Sequence, residues 1–109
     1  MSINMPLGDL EQLVLLAILQ LGDDAYGVTI AKILREKAGR DLAMASVYTT
    51  LDRLETKGYL ESSLGEPSAE RGGKRKRYFR VNAAGQRAVR ESLTALHALT
   101  AGLGRRFLW

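Results

Sequence analysis

At 109 residues the chain suits one domain with a modest core, which a partner would help to complete. Hydrophobic residues at 46% exclude a disordered tail, and the absence of cysteine excludes a disulfide framework or a thiolate metal site. The formal net charge of +4 is unevenly spread. Six of the sixteen basic residues stand between 71 and 80 with no acid among them, leaving ten basic against twelve acidic residues elsewhere. Such a concentration is the footprint of a polyanion partner, or else a solvated loop.

The opening MSINMPLGDL has no basic n-region, and the apolar residues after it meet Gln20, Asp23 and Asp24 before reaching membrane-spanning length. A soluble, cytoplasmic chain with no membrane partner is expected. Asp9 can cap a first helix in which Leu10, Leu13, Val14, Ala17, Ile18 and Leu21 follow the 3.6-residue period and Gly22 is the stop. Leu15, Leu16 and Leu19 occupy its other faces, so it should be buried on two sides, against its own domain and against a second subunit. A second helix is predicted from Tyr26 to Ala38, with Tyr26, Ile30, Ile33 and Leu34 inward and Gly39 ending it. Arg40 and Asp41 form the turn. A third helix then runs from Ala43 to Lys57, closed by Gly58, with Val47, Leu51 and Leu54 on its inner face. Three short helices with tight connections make a helix-turn-helix.

Tyr59–Leu64, alternating Leu60 and Leu64 with Glu61 and Ser63, reads as a strand, and so does Lys76–Val81, with Phe79 and Val81 on one side. The loop between them is longer than a hairpin needs, and its Gly72-Gly73 pair lets the backbone approach a partner closely. Asn82 caps a last helix from Ala83 to about Leu103. Along it Val89, Leu93, Leu96, Thr100, Leu103 and Phe107 recur at spacings of 4, 3, 4, 3 and 4. A seam that narrow asks for another helix. Dimerisation is assigned to Leu15, Leu19, Val89, Leu93, Leu96, Leu103 and Phe107, and the apolar end Phe107-Leu108-Trp109 is expected to dock.

The expected architecture is mainly α with a small β-hairpin: a winged helix-turn-helix DNA-binding domain over residues 1–82 and a C-terminal dimerisation helix over 83–109. A groove-entering helix followed at once by a basic hairpin suits double-stranded DNA. On the third helix the period sets Ser46, Thr49 and Arg53 on the far face, with Tyr48 and Thr50 at its flanks. Arg53 can bond a guanine edge, and Ser46, Thr49 and Thr50 are small enough to let the helix approach bases. Tyr48 and the wing residues Lys74, Arg75, Lys76 and Arg77 suit phosphate. The plainer alternatives are an ion pair with a neighbouring acid for Arg53 and partial burial for Tyr48.

Nothing points to catalysis. His97 is the only histidine, and Glu11, Glu36, Glu55 and Glu61 lie on predicted solvated faces with no pairing that suggests acid-base work. Gly72-Gly73-Lys74-Arg75 lacks the glycine spacing and the following Ser or Thr of a phosphate loop. No enzyme activity, cofactor or metal is expected.

Three segments resemble the PadR-like transcriptional regulators in order and spacing. They are LGDLEQLVLLAIL from Leu7, AYGVTIAKIL from Ala25, and SVYTTLDRLETKGYL from Ser46 followed by GGKRKRYFRVNAAGQR to Arg87. The length resembles members with a short C-terminal region. What the resemblance implies is a homodimeric, sequence-specific DNA-binding protein, usually a repressor, sometimes released by a small molecule. Its third helix would enter the major groove of a palindromic operator, Tyr48 would touch the DNA backbone, and the wing would bind phosphates or the minor groove. Aromatic residues at the dimer centre of some members line a pocket for flat apolar ligands, which makes Phe107 and Trp109 the candidates for an aromatic effector. The family commonly has serine where Ala43 stands, so the cap of the third helix is expected from elsewhere, with Asp41 as candidate. The rival reading is a winged module that binds RNA or an acidic protein without sequence choice.

Overall fold

A computed structural model describes residues 7–67 and 75–104, and within them the apolar periods fold into four α-helices. Helices α1 (Asp9–Leu21), α2 (Gly27–Ala38) and α3 (Met44–Thr56) come first, with a 3-10 turn, Gly22–Asp24, between α1 and α2. Strands β1 (Leu60–Pro67) and β2 (Arg75–Val81) form an antiparallel hairpin, and α4 (Ala83–Ala101) follows. This is a winged helix-turn-helix with one further helix. Among the described residues no helix is long and apolar enough to cross a membrane.

The core lies where α1, α2 and α3 meet, and Val14, Leu15, Ile30, Val47, Leu51 and Leu54 are wholly shielded from solvent. Leu60, Phe79, Val81 and Val89 close it from the hairpin and α4. Leu15, expected to meet a second subunit, is 0% exposed. Helix α1 touches α2, α3, α4 and β2, so its own chain covers that face.

The helix ends show how polar groups fix the frame. Gly8, not Asp9, is the N-cap of α1; its N–H donates to Glu11 at 2.7 Å, while Asp9 pairs with Arg40 at 2.7 Å. Tyr26 caps α2, where Thr29 Oγ1 accepts the Tyr26 N–H at 3.0 Å, and Gly39 ends the helix in the left-handed region. No side chain caps α3: Ala43 is its N-cap, and the expected help from Asp41 is not seen. Asn82 caps α4 by accepting from Gly85 N–H at 2.9 Å, and its amide donates to the Gly58 carbonyl at 2.8 Å. A Cβ on Gly85 would come within 2.4 Å of the Tyr59 carbonyl oxygen, so only glycine lets α4 start this close to the turn after α3.

Glu11 is buried, which corrects its placement on a solvated face. The Lys57 ammonium donates to it at 2.6 Å, tying the start of α1 to the end of α3. Burial alone would push its carboxyl up. The Gly8 N–H, the hydrogen bond and charge of Lys57, and the charge of Arg53 outweigh burial and hold it below the ordinary glutamate value.

In the hairpin Leu60 faces Val81, Ser62 faces Phe79 and Leu64 faces Arg77, with a bulge between Leu64 and Pro67. Leu64, expected inward with Leu60, is 60% exposed, because the strand has run past the core by that point. One element escaped the sequence reading. The Phe79 N–H donates to the Ala25 carbonyl at 2.8 Å and Tyr26 bridges to Tyr78, so the lead into α2 lies along the free edge of β2.

Candidate nucleic-acid interface

Helix α3 turns Ser46, Tyr48, Thr49 and Arg53 to solvent. Thr50 is not with them. It is 5% exposed and its hydroxyl donates to the Ser46 carbonyl at 2.9 Å. Positions 47, 50, 51 and 54 share one helical face, so the side that buries Val47, Leu51 and Leu54 takes Thr50 as well. Tyr48 is 42% exposed and seated on the first turn of α2. A Cβ on Gly27 would stand 2.4 Å from its hydroxyl oxygen and 3.1 Å from Met44 Cε. The missing side chain at Gly27 therefore makes room for Tyr48.

The side chain of Arg53 is exposed and makes no hydrogen bond or salt bridge among the described residues, although its charge acts on Glu11. The acids beside it are engaged elsewhere: Arg77 of β2 lies 2.5 Å from Glu55 and 3.9 Å from Asp52. The guanidinium of Arg53 is thus left facing solvent, with hydrogen-bond donors free for an outside acceptor.

The wing's cations divide by the two-residue alternation of β2. Lys76 and Tyr78 point to one side, where the Lys76 ammonium sits 4.4 Å from the centre of the Tyr26 ring and donates to the Tyr26 hydroxyl at 3.3 Å. The rings of Tyr26 and Tyr78 meet edge to face at 5.5 Å. Arg77, expected on phosphate, points to the other side, toward α3. Arg80 pairs with Glu61 at 3.7 Å. Arg75 is exposed and carries no ion pair among the described residues. Lys74 lies outside the described residues.

A second surface runs between α1 and α4. Leu16, Leu19, Val89 and Leu93 line a groove of about 470 Å³, rimmed by Gln86, Arg90, Thr94 and His97. Val89 is buried in the core, whereas Leu19, Leu93, Leu96 and Leu103 are exposed. Leu99, absent from the predicted seam, is 73% exposed. Phe107 and Trp109 lie outside the described residues.

Sequence reasoning missed the partners that hold these elements: Tyr26 for Lys76, Asp52 and Glu55 for Arg77, and Gly27 for Tyr48. The available signals were two acids three residues apart on α3, followed by a basic strand, and a Tyr-Gly dipeptide opening α2.

Residues 15–91 match the family model described as the transcriptional regulator PadR-like family. Solved structures agree in fold. A transcriptional regulator from Clostridium thermocellum is similar at 25% identity, covering 91% of this chain and 89% of its own, with a TM-score of 0.71. A PadR family transcriptional regulator from Eggerthella lenta reaches 30% identity over 89% and 84% of the two chains at a TM-score of 0.68. A Streptococcus transcriptional regulator reaches 28% identity over 86% and 87% at 0.69. Comparison with curated proteins finds no match. An exposed helix face beside a basic hairpin, on a fold matched over most of its length, leads to one conclusion: the chain belongs to the PadR-like family of transcriptional regulators, and its partner is DNA.

Proposed function

We propose that the protein is a homodimeric repressor that occupies a palindromic operator. Residues 1–82 form the DNA-binding domain in this reading and residues 83–109 the dimerisation helix. Helix α3 enters the major groove, where Arg53 bonds a guanine edge and Ser46 and Thr49 permit close approach to the bases. Tyr48, Lys74, Arg75 and Lys76 hold phosphates. The observation that supports this reading most directly is Arg53, exposed on α3 while the acids beside it are engaged by Arg77. The exposed leucines of α1 and α4 support a second copy on that groove. An aromatic effector that releases DNA is assigned to the same dimer face, with Phe107 and Trp109 as its contacts.

The test is a mobility shift with the duplex upstream of the protein's own coding region, competed by random duplex at physiological salt. The operator should be preferred by about a thousandfold or more. Arg53→Ala should relax the preference at one base position, costing about 1–3 kcal/mol. Uniform, salt-sensitive binding to any duplex would reject sequence-specific regulation.

A further inference from the structure

The carboxylate of Glu55 joins three elements. Its Oε1 accepts from Arg77 of β2 at 2.5 Å, and its Oε2 accepts from the Ser62 hydroxyl of β1 at 2.9 Å. Almost one turn earlier on α3, Asp52 stands 3.9 Å from the other terminal nitrogen of Arg77. The guanidinium also lies 5.2 Å from the centre of the Phe79 ring, a core residue of the same strand. Each contact alone is modest at a partly exposed site. Sharing one carboxylate and one guanidinium, they set the position of both strands against the helix at once.

We infer that Glu55 is a positioning residue for DNA binding: through Ser62 and Arg77 it fixes the angle between the wing and α3, so that both meet the duplex as one surface. Arg77 then acts inside the protein and not on a phosphate. The inference rests on the proposal that α3 and the hairpin form the DNA-binding surface. The sign of the effect of Glu55 separates it from simple charge. A carboxylate beside a DNA-facing helix repels phosphates, so neutralising it should tighten binding if charge alone mattered. A positioning role requires the reverse.

The experiment compares the wild type with E55Q, R77M and the double variant E55Q/R77M. Affinity is measured over a salt series for the upstream duplex and for random duplex, alongside thermal melts. Amide hydrogen exchange is followed across Leu60–Leu64 and Arg77–Val81 in the DNA-free protein. E55Q and R77M should each weaken operator binding about five- to tenfold and speed hairpin exchange, with melting temperatures nearly unchanged. The double variant should lose no more than the worse single one. R77M should leave the salt slope intact. Tighter operator binding by E55Q, additive losses, or a slope reduced by about one in R77M would each overturn the inference. If the wild type itself failed to prefer the upstream duplex, the regulator proposal would fall, and hairpin exchange in E55Q would decide alone: faster exchange supports the wing lock and unchanged exchange overturns it.

Discussion

Helices α1 and α4 are both rich in leucine, yet they treat it in opposite ways. Helix α1 buries Val14, Leu15, Ala17 and Ile18 within its own chain, whereas α4 buries Val89 and then leaves Leu93, Leu96 and Leu99 open. The first helix is stabilised from inside the fold. The second presents a stripe that internal packing does not explain, which is the pattern of a helix that completes itself on something else.

The contrast can be broken at several depths. Leu15→Ala should cost the most, about 2–5 kcal/mol, because it opens a cavity among fully buried neighbours; denaturant unfolding should show that loss at every protein concentration. Glu11→Gln should cost about 1–3 kcal/mol by leaving Lys57 short of its charged partner. Since folding holds the Glu11 carboxyl low, its contribution is complete above the ordinary glutamate range and fades as pH falls through the folded value. An acid titration of stability should therefore be flatter in the variant. On the proposed dimer, Leu96→Glu should cost about 1 kcal/mol of apparent stability and abolish its rise with protein concentration, with sedimentation reporting the lost association. In the dissociated chain Leu99→Ser should change unfolding by less than about 0.5 kcal/mol; a larger loss would mean that α4 packs internally after all.

How much of this was legible in the sequence follows from range. Periodicity located α1 to α4 and the inward Val47, Leu51 and Leu54, and Asn82 announced the start of α4, because these signals lie within one or two turns of chain. Thr50 was placed at the flank of the far face although the same period puts it beside Val47 and Leu54, and its back-bond to Ser46 satisfies the hydroxyl locally. Leu15 could not be separated from Leu19 on a helix that is apolar all round. The alternation of β2 divides Lys76 from Arg77, but which side meets α3 is settled only when the hairpin docks. Arg77 and Glu55 are separated by 22 residues, and no local pattern connects them.

Tyr26 and Gly27 are neighbours in sequence with separate duties: the tyrosine holds Lys76 and Tyr78 of the wing, and the glycine makes room for Tyr48 of α3. Both elements of the proposed DNA-binding surface therefore rest on one dipeptide. In the proposed reading, Ser46, Thr49 and Arg53 can be exchanged during divergence to follow a changing operator, since none of them takes part in that mount. A change at Gly27 acts on the mount itself, because a Cβ there would stand 2.4 Å from the Tyr48 hydroxyl oxygen and shift that side chain whatever sequence is being read.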